Sequence, residues 1–328
     1  MRSTFTIFAK ILYKPMSSYG KRALRATREV LPVAAKTAWW LIRITVTVSL
    51  IILLLRYTGI LYWISDALSP VFKVVGLPGE AALAFITGYF VNVYSAIAVM
   101  VTLDMDIRAI TILSVMVLCA HNMITETAVQ KKTGSSTLRI LLTRSLSAFI
   151  LGVMLNLLMP GEVVSMNTNV AIVQEKLLSM LKVWGLSTLY LIFKMTVLIF
   201  GLSILQRLLS EFGVIKWISR FLRPVMHFFG LPAKTAFLWI VANTLGLAYG
   251  AAVMIEETER GNISRRDVDL LNHHIGISHS NLEDLLLLVS VGGLIWWLLL
   301  SRWCMSLVLV WERRLEYYLG WVRKIPAA

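Results

Sequence analysis

Six apolar runs of near-uniform length constrain this 328-residue chain more than any other feature. A helix of about 20 apolar residues is long enough to cross the hydrocarbon core of a bilayer. Within that core every backbone polar group needs an internal partner, which an α-helix provides. We therefore predict an all-α integral membrane protein. The predicted spans are 37–56, 107–130, 138–159, 184–206, 268–289 and 292–311.

The composition excludes several other classes of protein. Hydrophobic residues make up 58% of the chain and charged residues only 15%, whereas soluble domains are about 25% charged. A disordered chain, a coiled coil and a nucleic-acid-binding domain are thereby disfavoured, so we expect no nucleic-acid partner. Both cysteines, Cys119 and Cys304, lie in apolar stretches, which excludes a disulfide framework or a zinc ribbon. Since no nucleotide-binding motif and no nucleophile–base motif occur, we expect neither a cofactor nor an enzyme.

The chain also contains a duplicated segment. Residues 59–100 and 213–254 align without a gap at a separation of 154 residues, with 15 identities in 42 positions. After a four-residue insertion, His121 aligns with His279. Self-similarity at a fixed separation indicates an internal duplication.

Each copy of the duplication begins with two elements that are not simple spans. The first, at 59–75 and 213–229, has the periodicity of an interfacial amphipathic helix. The second, at 80–103 and 234–255, is an apolar stretch interrupted by small and polar residues. If these stretches are re-entrant hairpins, 24 Lys and Arg residues fall on one side of the membrane and three on the other. Because basic residues accumulate on the cytoplasmic side, this bias favours hairpins and cytoplasmic termini in a bacterial inner membrane.

With hairpins, each copy contains three transmembrane helices, and an odd number makes the two copies inverted relative to each other. We predict two inverted repeats, at 37–160 and 184–312, each with an interfacial amphipathic helix and a re-entrant helical hairpin. A basic amphipathic cytoplasmic segment, 1–36, precedes them and is expected to lie on anionic lipids. An extracytoplasmic linker, 161–183, joins the repeats, and a basic cytoplasmic tail, 313–328, follows them.

Several motifs of the duplicated region look familiar. An amphipathic helix ending in Gly-Leu-Pro, an interrupted apolar stretch and a span bearing His-Asn-x-x-x-Glu resemble the nucleoside-recognition, or Gate, domain family, over 55–160 and 205–312. That family is similar to the cores of concentrative nucleoside transporters, the ferrous-iron transporter B membrane domain and the spore maturation membrane proteins. The iron transporter's Gly-x-x-Cys-Asn-Val-Pro-Ala segment has Val91 and Tyr94 here in place of its cysteine and proline. The nucleoside transporters' Asn-Glu-Phe-Val-Ala-Tyr motif does not occur, so the resemblance implies a fold more firmly than a substrate.

The candidate substrate-binding residues lie in the hairpins and in two polar spans. Asn122 and Glu126 are four apart and share a helix face, and His279 and Glu283 are spaced to meet in the same way. Ionisable residues inside a membrane usually face a solvated cavity, and a His–carboxylate pair there suits proton coupling. The full set is Asn92, Ser95, His121, Asn122, Glu126, Asn243, Thr244, His279, Ser280, Asn281, Glu283 and Asp284.

Other charged and metal-ligating residues receive no role at this stage. His274 and His279 are five apart, which is poor spacing for two ligands on one helix face, so no metal site is predicted. Arg43, Lys194 and Arg302 lie near the ends of spans and are assigned no chemistry.

These features predict a secondary transporter or permease for a small polar solute, of which a nucleoside is one candidate. The solute is expected to bind between the two hairpins near the membrane midplane. Two alternatives stay open: a non-transporting membrane scaffold in envelope or spore-type assembly, and a divalent-metal permease. A homo-oligomer is also left open.

Overall fold

The computed structural model describes residues 16–103, 105–160 and 177–321, and all regular secondary structure in them is helical. Residues 1–15, most of the predicted linker and the last seven residues lie outside the described part. The first half contains α1 (Met16–Tyr57), α2 (Ile60–Val74), α3 (Ala81–Phe90), α4 (Val93–Met100), α5 (Ile107–Ala120), α6 (Met123–Lys132) and α7 (Thr137–Leu158). The second half contains α8 (Leu177–Glu211), α9 (Val214–Phe221), α10 (Arg223–Phe228), α11 (Ala236–Thr244), α12 (Leu247–Glu259), α13 (Arg265–Ser278), α14 (Asp284–Ser290) and α15 (Ile295–Tyr318).

Five helical stretches of the described residues are long and apolar enough to cross a membrane. They coincide with five of the six predicted spans, and this confirms the expectation of an all-helical chain with several membrane-crossing helices. The five stretches are Tyr19–Leu55, Ile107–Lys132, Thr137–Leu158, Leu177–Glu211 and Ile295–Tyr318.

The sixth predicted span, 268–289, is not one continuous helix. It is divided into α13 and α14. The predicted span 107–130 also contains a break, between α5 and α6, although the whole stretch Ile107–Lys132 is long enough to cross a membrane. Each break contains a residue in the left-handed backbone region, Asn122 with φ 49° and Ser280 with φ 54°. Neither break contains proline or glycine, so the residue types that usually mark helix ends were missing from the sequence. The expectation of continuous helices here was wrong.

Helix α1 crosses the boundary that was predicted at residue 36. It continues from the basic segment into the apolar run with Pro32 inside the helix, and Ala34, Ala35 and Lys36 after it favour helix. It packs antiparallel to α8, the corresponding helix of the second repeat. Near one end Arg22 Nε donates to Glu211 Oε1 at 3.1 Å, and farther along Trp184 Nε1 donates to Ser49 Oγ at 3.1 Å.

The two interrupted stretches each form a pair of short helices that fold back on one another. A Cβ atom added at Gly88 would lie 3.1 Å from the Cβ of Ala96, so α3 and α4 pack closely. In the second repeat a Cβ added at Gly250 would lie 3.0 Å from that of Ala242, which brings α11 and α12 equally close. Both pairs are helical hairpins at the predicted positions.

The predicted amphipathic helices also form. The first is α2, and the second is divided into α9 and α10 at Pro224, which follows the first residue of α10. Trp63 and Trp217 occupy equivalent positions and are both exposed, as a membrane-interface residue would be.

The turn after α2 is held against α7 by one polar side chain. Asn156 Nδ2 donates to the carbonyl oxygen of Val74, and Asn156 Oδ1 accepts from Arg108 Nη2 at 2.7 Å. Gly76 in this turn has φ +71°, and a Cβ atom there would overlap the side-chain amide of Asn156. The close approach therefore requires glycine.

We expect Gly76→Ala to lower the free energy of unfolding by about 2–4 kcal/mol. About 1–2 kcal/mol comes from the left-handed backbone, and the remainder comes from displacing Asn156. Gly59 is the matched control, since its φ is +76° and nothing lies within 4 Å of its added Cβ. Denaturant unfolding in detergent micelles measures both variants, and equal losses would show that the approach of Asn156 is unimportant.

Candidate functional site

The two helix breaks place two histidine rings next to each other in the interior, tilted by 34°. His121 ends α5 and His279 ends α13, and their ring centroids are 5.0 Å apart. Both residues are buried, with exposed fractions of 3% and 1%. His121 Nδ1 lies 3.1 Å from the carbonyl oxygen of Val117, and His279 Nδ1 lies 2.8 Å from that of Ile275. Because a carbonyl oxygen only accepts, the proton is assigned to Nδ1 on both rings, which leaves Nε2 facing the centre.

Two carboxylates meet these rings across the repeat boundary. Glu126 Oε1 lies 3.2 Å from His279 Nε2 and 3.2 Å from His121 Nε2. Asp284 Oδ2 lies 3.3 Å from His121 Nε2. Glu126 and Asp284 are separated by the same 158 residues as the two histidines. Each imidazole is thus paired with the carboxylate of the other repeat, in a pseudo-two-fold arrangement. We name these four side chains the central cluster.

A buried arginine satisfies the first helix break. Arg144 of α7 is 1% exposed. Its Nε donates to the carbonyl oxygen of Cys119 at 2.9 Å, and its Nη2 donates to that of His121 at 2.8 Å. The last carbonyls of a helix have no partner within it, so this guanidinium supplies the missing donors. Nη2 also lies 2.7 Å from Glu126 Oε2, which neutralises that carboxylate.

Arg302 of α15 does the same for the second break, 158 residues later in the chain. It is fully buried and donates through Nη1 to the carbonyl oxygens of Ile277, at 3.3 Å, and His279, at 3.1 Å. Its Nη2 donates to Asn281 Oδ1 at 2.5 Å. Arg302, to which the sequence analysis assigned no chemistry, therefore has a structural role at this break. Lys194 also has a partner, because its Nζ donates to the carbonyl oxygen of Ser290.

The hairpin residues are mostly engaged within their own hairpins. Asn92 Oδ1 caps α4 by accepting from the backbone nitrogen of Ser95 at 2.9 Å and from its hydroxyl at 3.1 Å. Thr244 Oγ1 donates to the carbonyl oxygen of Ile240 at 2.7 Å. Asn243 differs, because its Oδ1 accepts from Asn281 Nδ2 at 2.5 Å and so ties the second hairpin to the second break.

Glu283 does not meet His279, because the helix ends between them. It accepts instead from the hydroxyl of Tyr94 in the first hairpin at 2.7 Å. Asn122 and Ser280 act through their backbone: their N–H groups donate to the carbonyl oxygens of Gly88 and Ala242 at 2.9 and 3.4 Å. Each hairpin is thereby fixed to the break of its own repeat, and Tyr94 links the first hairpin to the second break.

Three important residues, Arg144, Arg302 and Tyr94, were not among the predicted site residues. The separation of 158 residues that aligns the histidines also aligns the two arginines and the pair Glu126 and Asp284. Extending the alignment past His279 would have found them. Ala248 aligns with Tyr94 in the second hairpin, so the repeat did not indicate a role for this tyrosine.

We expect Arg144→Met to lower the free energy of unfolding by about 3–5 kcal/mol, because it leaves a buried carboxylate and two carbonyls without a donor. Arg207→Met is the control, since that partly exposed arginine pairs with Glu29 at 2.7 Å and is worth at most about 1 kcal/mol. Adding Glu126→Gln to Arg144→Met should cost less than the sum of the two single changes. Additive losses in denaturant unfolding would mean that the two side chains do not interact.

Comparison with known proteins agrees with this architecture. The Gate family, described as nucleoside recognition, matches residues 38–161 and 192–295, which include both breaks and both hairpins. The uncharacterized membrane protein YvoD of Bacillus subtilis (strain 168) is 30% identical over 275 residues, covering 81% of this chain and 87% of the relative. No solved structure matches the chain. The chain therefore belongs to the Gate (nucleoside recognition) family of membrane proteins.

Proposed function

We propose that this protein is a secondary permease that carries a small polar solute across the bacterial inner membrane. The observation that carries the proposal is the central cluster, in which ionisable groups of both repeats meet in the interior between two broken helices. Ionisable groups within a membrane are costly and mark substrate or ion paths in the proteins that retain them. Broken helices and helical hairpins are also the elements from which secondary transporters build their binding sites.

The proposal includes inverted repeats, re-entrant hairpins and cytoplasmic termini. Antiparallel packing of α1 and α8, which are equivalent in the duplication, supports the inversion. The 24-to-3 distribution of Lys and Arg supports hairpins that do not cross the membrane. Alternating access would then require the two repeats to rock about the central cluster, in which His121, His279 and Glu126 are buried.

The chemistry of the cluster favours a neutral or cationic solute. Glu126 and Asp284 of the cluster, with the neighbouring Glu283, contribute three carboxyl groups, against the guanidinium groups of the adjacent Arg144 and Arg302. An anion would meet net repulsion here, whereas the hydroxyl and amine groups of a nucleoside-like solute would find acceptors. We propose proton coupling as part of this function, since imidazole changes its charge near neutral pH. No covalent catalysis is included in the proposal.

A second candidate function is a non-transporting membrane scaffold. It is favoured by the complete pairing of the central cluster, in which each imidazole and carboxylate already has a charged or polar neighbour. A scaffold would use this network for rigidity alone. The two functions differ in whether any solute crosses the membrane.

We expect proteoliposomes containing the purified chain to accumulate at least one solute from a panel of nucleosides and other small polar solutes. A pH gradient should alter the rate of uptake. Glu126→Gln should slow uptake by about tenfold or more, equivalent to about 1.4 kcal/mol, because it removes the charge shared by both imidazoles. Glu256→Gln is the control, since Glu256 is exposed and pairs with Arg260 at 2.6 Å on the surface. Failure of the folded wild-type protein to move any solute would favour the scaffold.

The inverted orientation of the two repeats can be tested by labelling two exposed residues at equivalent positions. Asp66 in α2 and Arg220 in α9 are separated by 154 residues. In a background with Cys304→Ser, we expect Asp66→Cys to react with an impermeant maleimide from outside the cell and Arg220→Cys only after the membrane is opened. Cys119 is buried and should remain silent. Labelling of both positions from the same side would refute the inversion.

A further inference from the structure

We infer that the central cluster is a binding site for one divalent transition-metal ion. His121 Nε2, His279 Nε2 and Glu126 Oε1 are the three protein ligands, and Asp284 Oδ2 lies beside them, 3.3 Å from His121 Nε2. This inference concerns the same cluster as the proposed function and rests on it in that respect. Metal binding can nevertheless be measured without any measurement of transport.

The distances in the cluster match those of a metal site. The three ligand atoms all lie within 4.8 Å of one another, and all three residues are buried. The two nitrogens are each 3.2 Å from Glu126 Oε1. A tetrahedral zinc site with bonds of about 2.0–2.1 Å has ligand atoms about 3.3–3.4 Å apart. These two spacings are therefore close to two edges of such a tetrahedron, whose fourth position would be left to solvent or substrate.

The hydrogen bonds behind the rings orient their lone pairs toward the centre. Each Nδ1–H is directed at a carbonyl oxygen of its own helix, His121 at Val117 and His279 at Ile275. In a neutral ring Nε2 is then an acceptor, and it faces carboxylate oxygens that are acceptors as well. A cation among these acceptors, either a metal ion or protons on the rings, would relieve their mutual repulsion. Metal-ligating histidines almost always hold their other nitrogen in this way.

Glu126 divides its two oxygens between separate tasks. Oε2 lies 2.7 Å from Arg144, and Oε1 faces the two imidazoles. The arginine thus fixes the carboxylate in position without blocking the oxygen that would bind the ion, as an outer-shell partner does.

The donor set selects a class of ion. Two imidazole nitrogens with carboxylate oxygens suit zinc, cobalt and ferrous ions, whereas magnesium and calcium prefer oxygen donors in greater number. The sequence analysis did not predict this site because ligand spacing was judged along single helices. The two imidazoles come from equivalent positions on different repeats, 158 residues apart.

The test is a titration of Co²⁺ into the untagged full-length chain in detergent micelles. We expect one Co²⁺ per chain, with the intense visible absorption of tetrahedral coordination, displaced by Zn²⁺ and unaffected by Mg²⁺. His121→Asn and His279→Asn should each weaken binding by at least about 100-fold, since even outer-shell partners are worth about 10–100-fold. His227→Asn, on the surface, and His273→Asn, buried outside the cluster, should bind as the wild type does.

A ligand exchange provides a signature that loss of folding cannot imitate. His279→Cys should retain Co²⁺ and add a near-ultraviolet sulfur-to-cobalt charge-transfer band, which the wild type lacks although it contains two cysteines. Monodisperse gel filtration establishes that each variant is folded. The inference is wrong if the wild type binds no Co²⁺ stoichiometrically, if the asparagine variants bind normally, or if folded His279→Cys lacks the band. None of these results depends on uptake, so the permease proposal stands or fails separately.

Discussion

Two arginines make the interior of this protein possible. A helix that ends inside a bilayer exposes carbonyl oxygens to an environment without water, and each unsatisfied group there costs several kcal/mol. Arg144 and Arg302 donate to the last carbonyls of α5 and α13 and thereby allow both helices to end at a histidine. Because the helices end there, His121 and His279 face each other instead of lying along continuous helix surfaces.

The internal duplication gives the centre its symmetry. A single separation of 158 residues relates the histidines, the arginines, the carboxylates Glu126 and Asp284, and the left-handed residues of the two breaks. The second repeat departs from this pattern at Arg302, which donates to Asn281 where Arg144 contacts Glu126. Glu126 consequently approaches both imidazoles and Asp284 only one. The approximate symmetry brings the two imidazoles and the two carboxylates together. The different contact of Arg302 leaves both imidazoles next to one carboxylate, that of Glu126.

The lengths of the apolar runs predicted five helical stretches that are long and apolar enough to cross a membrane. The internal repeat predicted the positions of both helical hairpins. The helix breaks were not predicted, because an Asn or a Ser in a sequence does not indicate the left-handed conformation that Asn122 and Ser280 adopt. Of the site, both histidines and their carboxylates were among the candidates. The pairing of His279 with Glu283 was wrong, since it was inferred within one continuous helix, whereas the structure pairs His279 with Glu126 of the other repeat.

The charges of the centre limit what can occupy or pass it. Glu126, Glu283 and Asp284 outnumber the two arginines, and neutral imidazoles do not correct the difference. In a medium of low dielectric constant an uncompensated charge is expensive, so the excess negative charge requires compensation, by a cation near the histidines or by a proton on one of the carboxyl groups. A divalent ion held by both imidazoles would supply it, and so would protons on the rings. Transport through this centre would then move positive charge, or exchange one cation for another, whichever solute accompanies it.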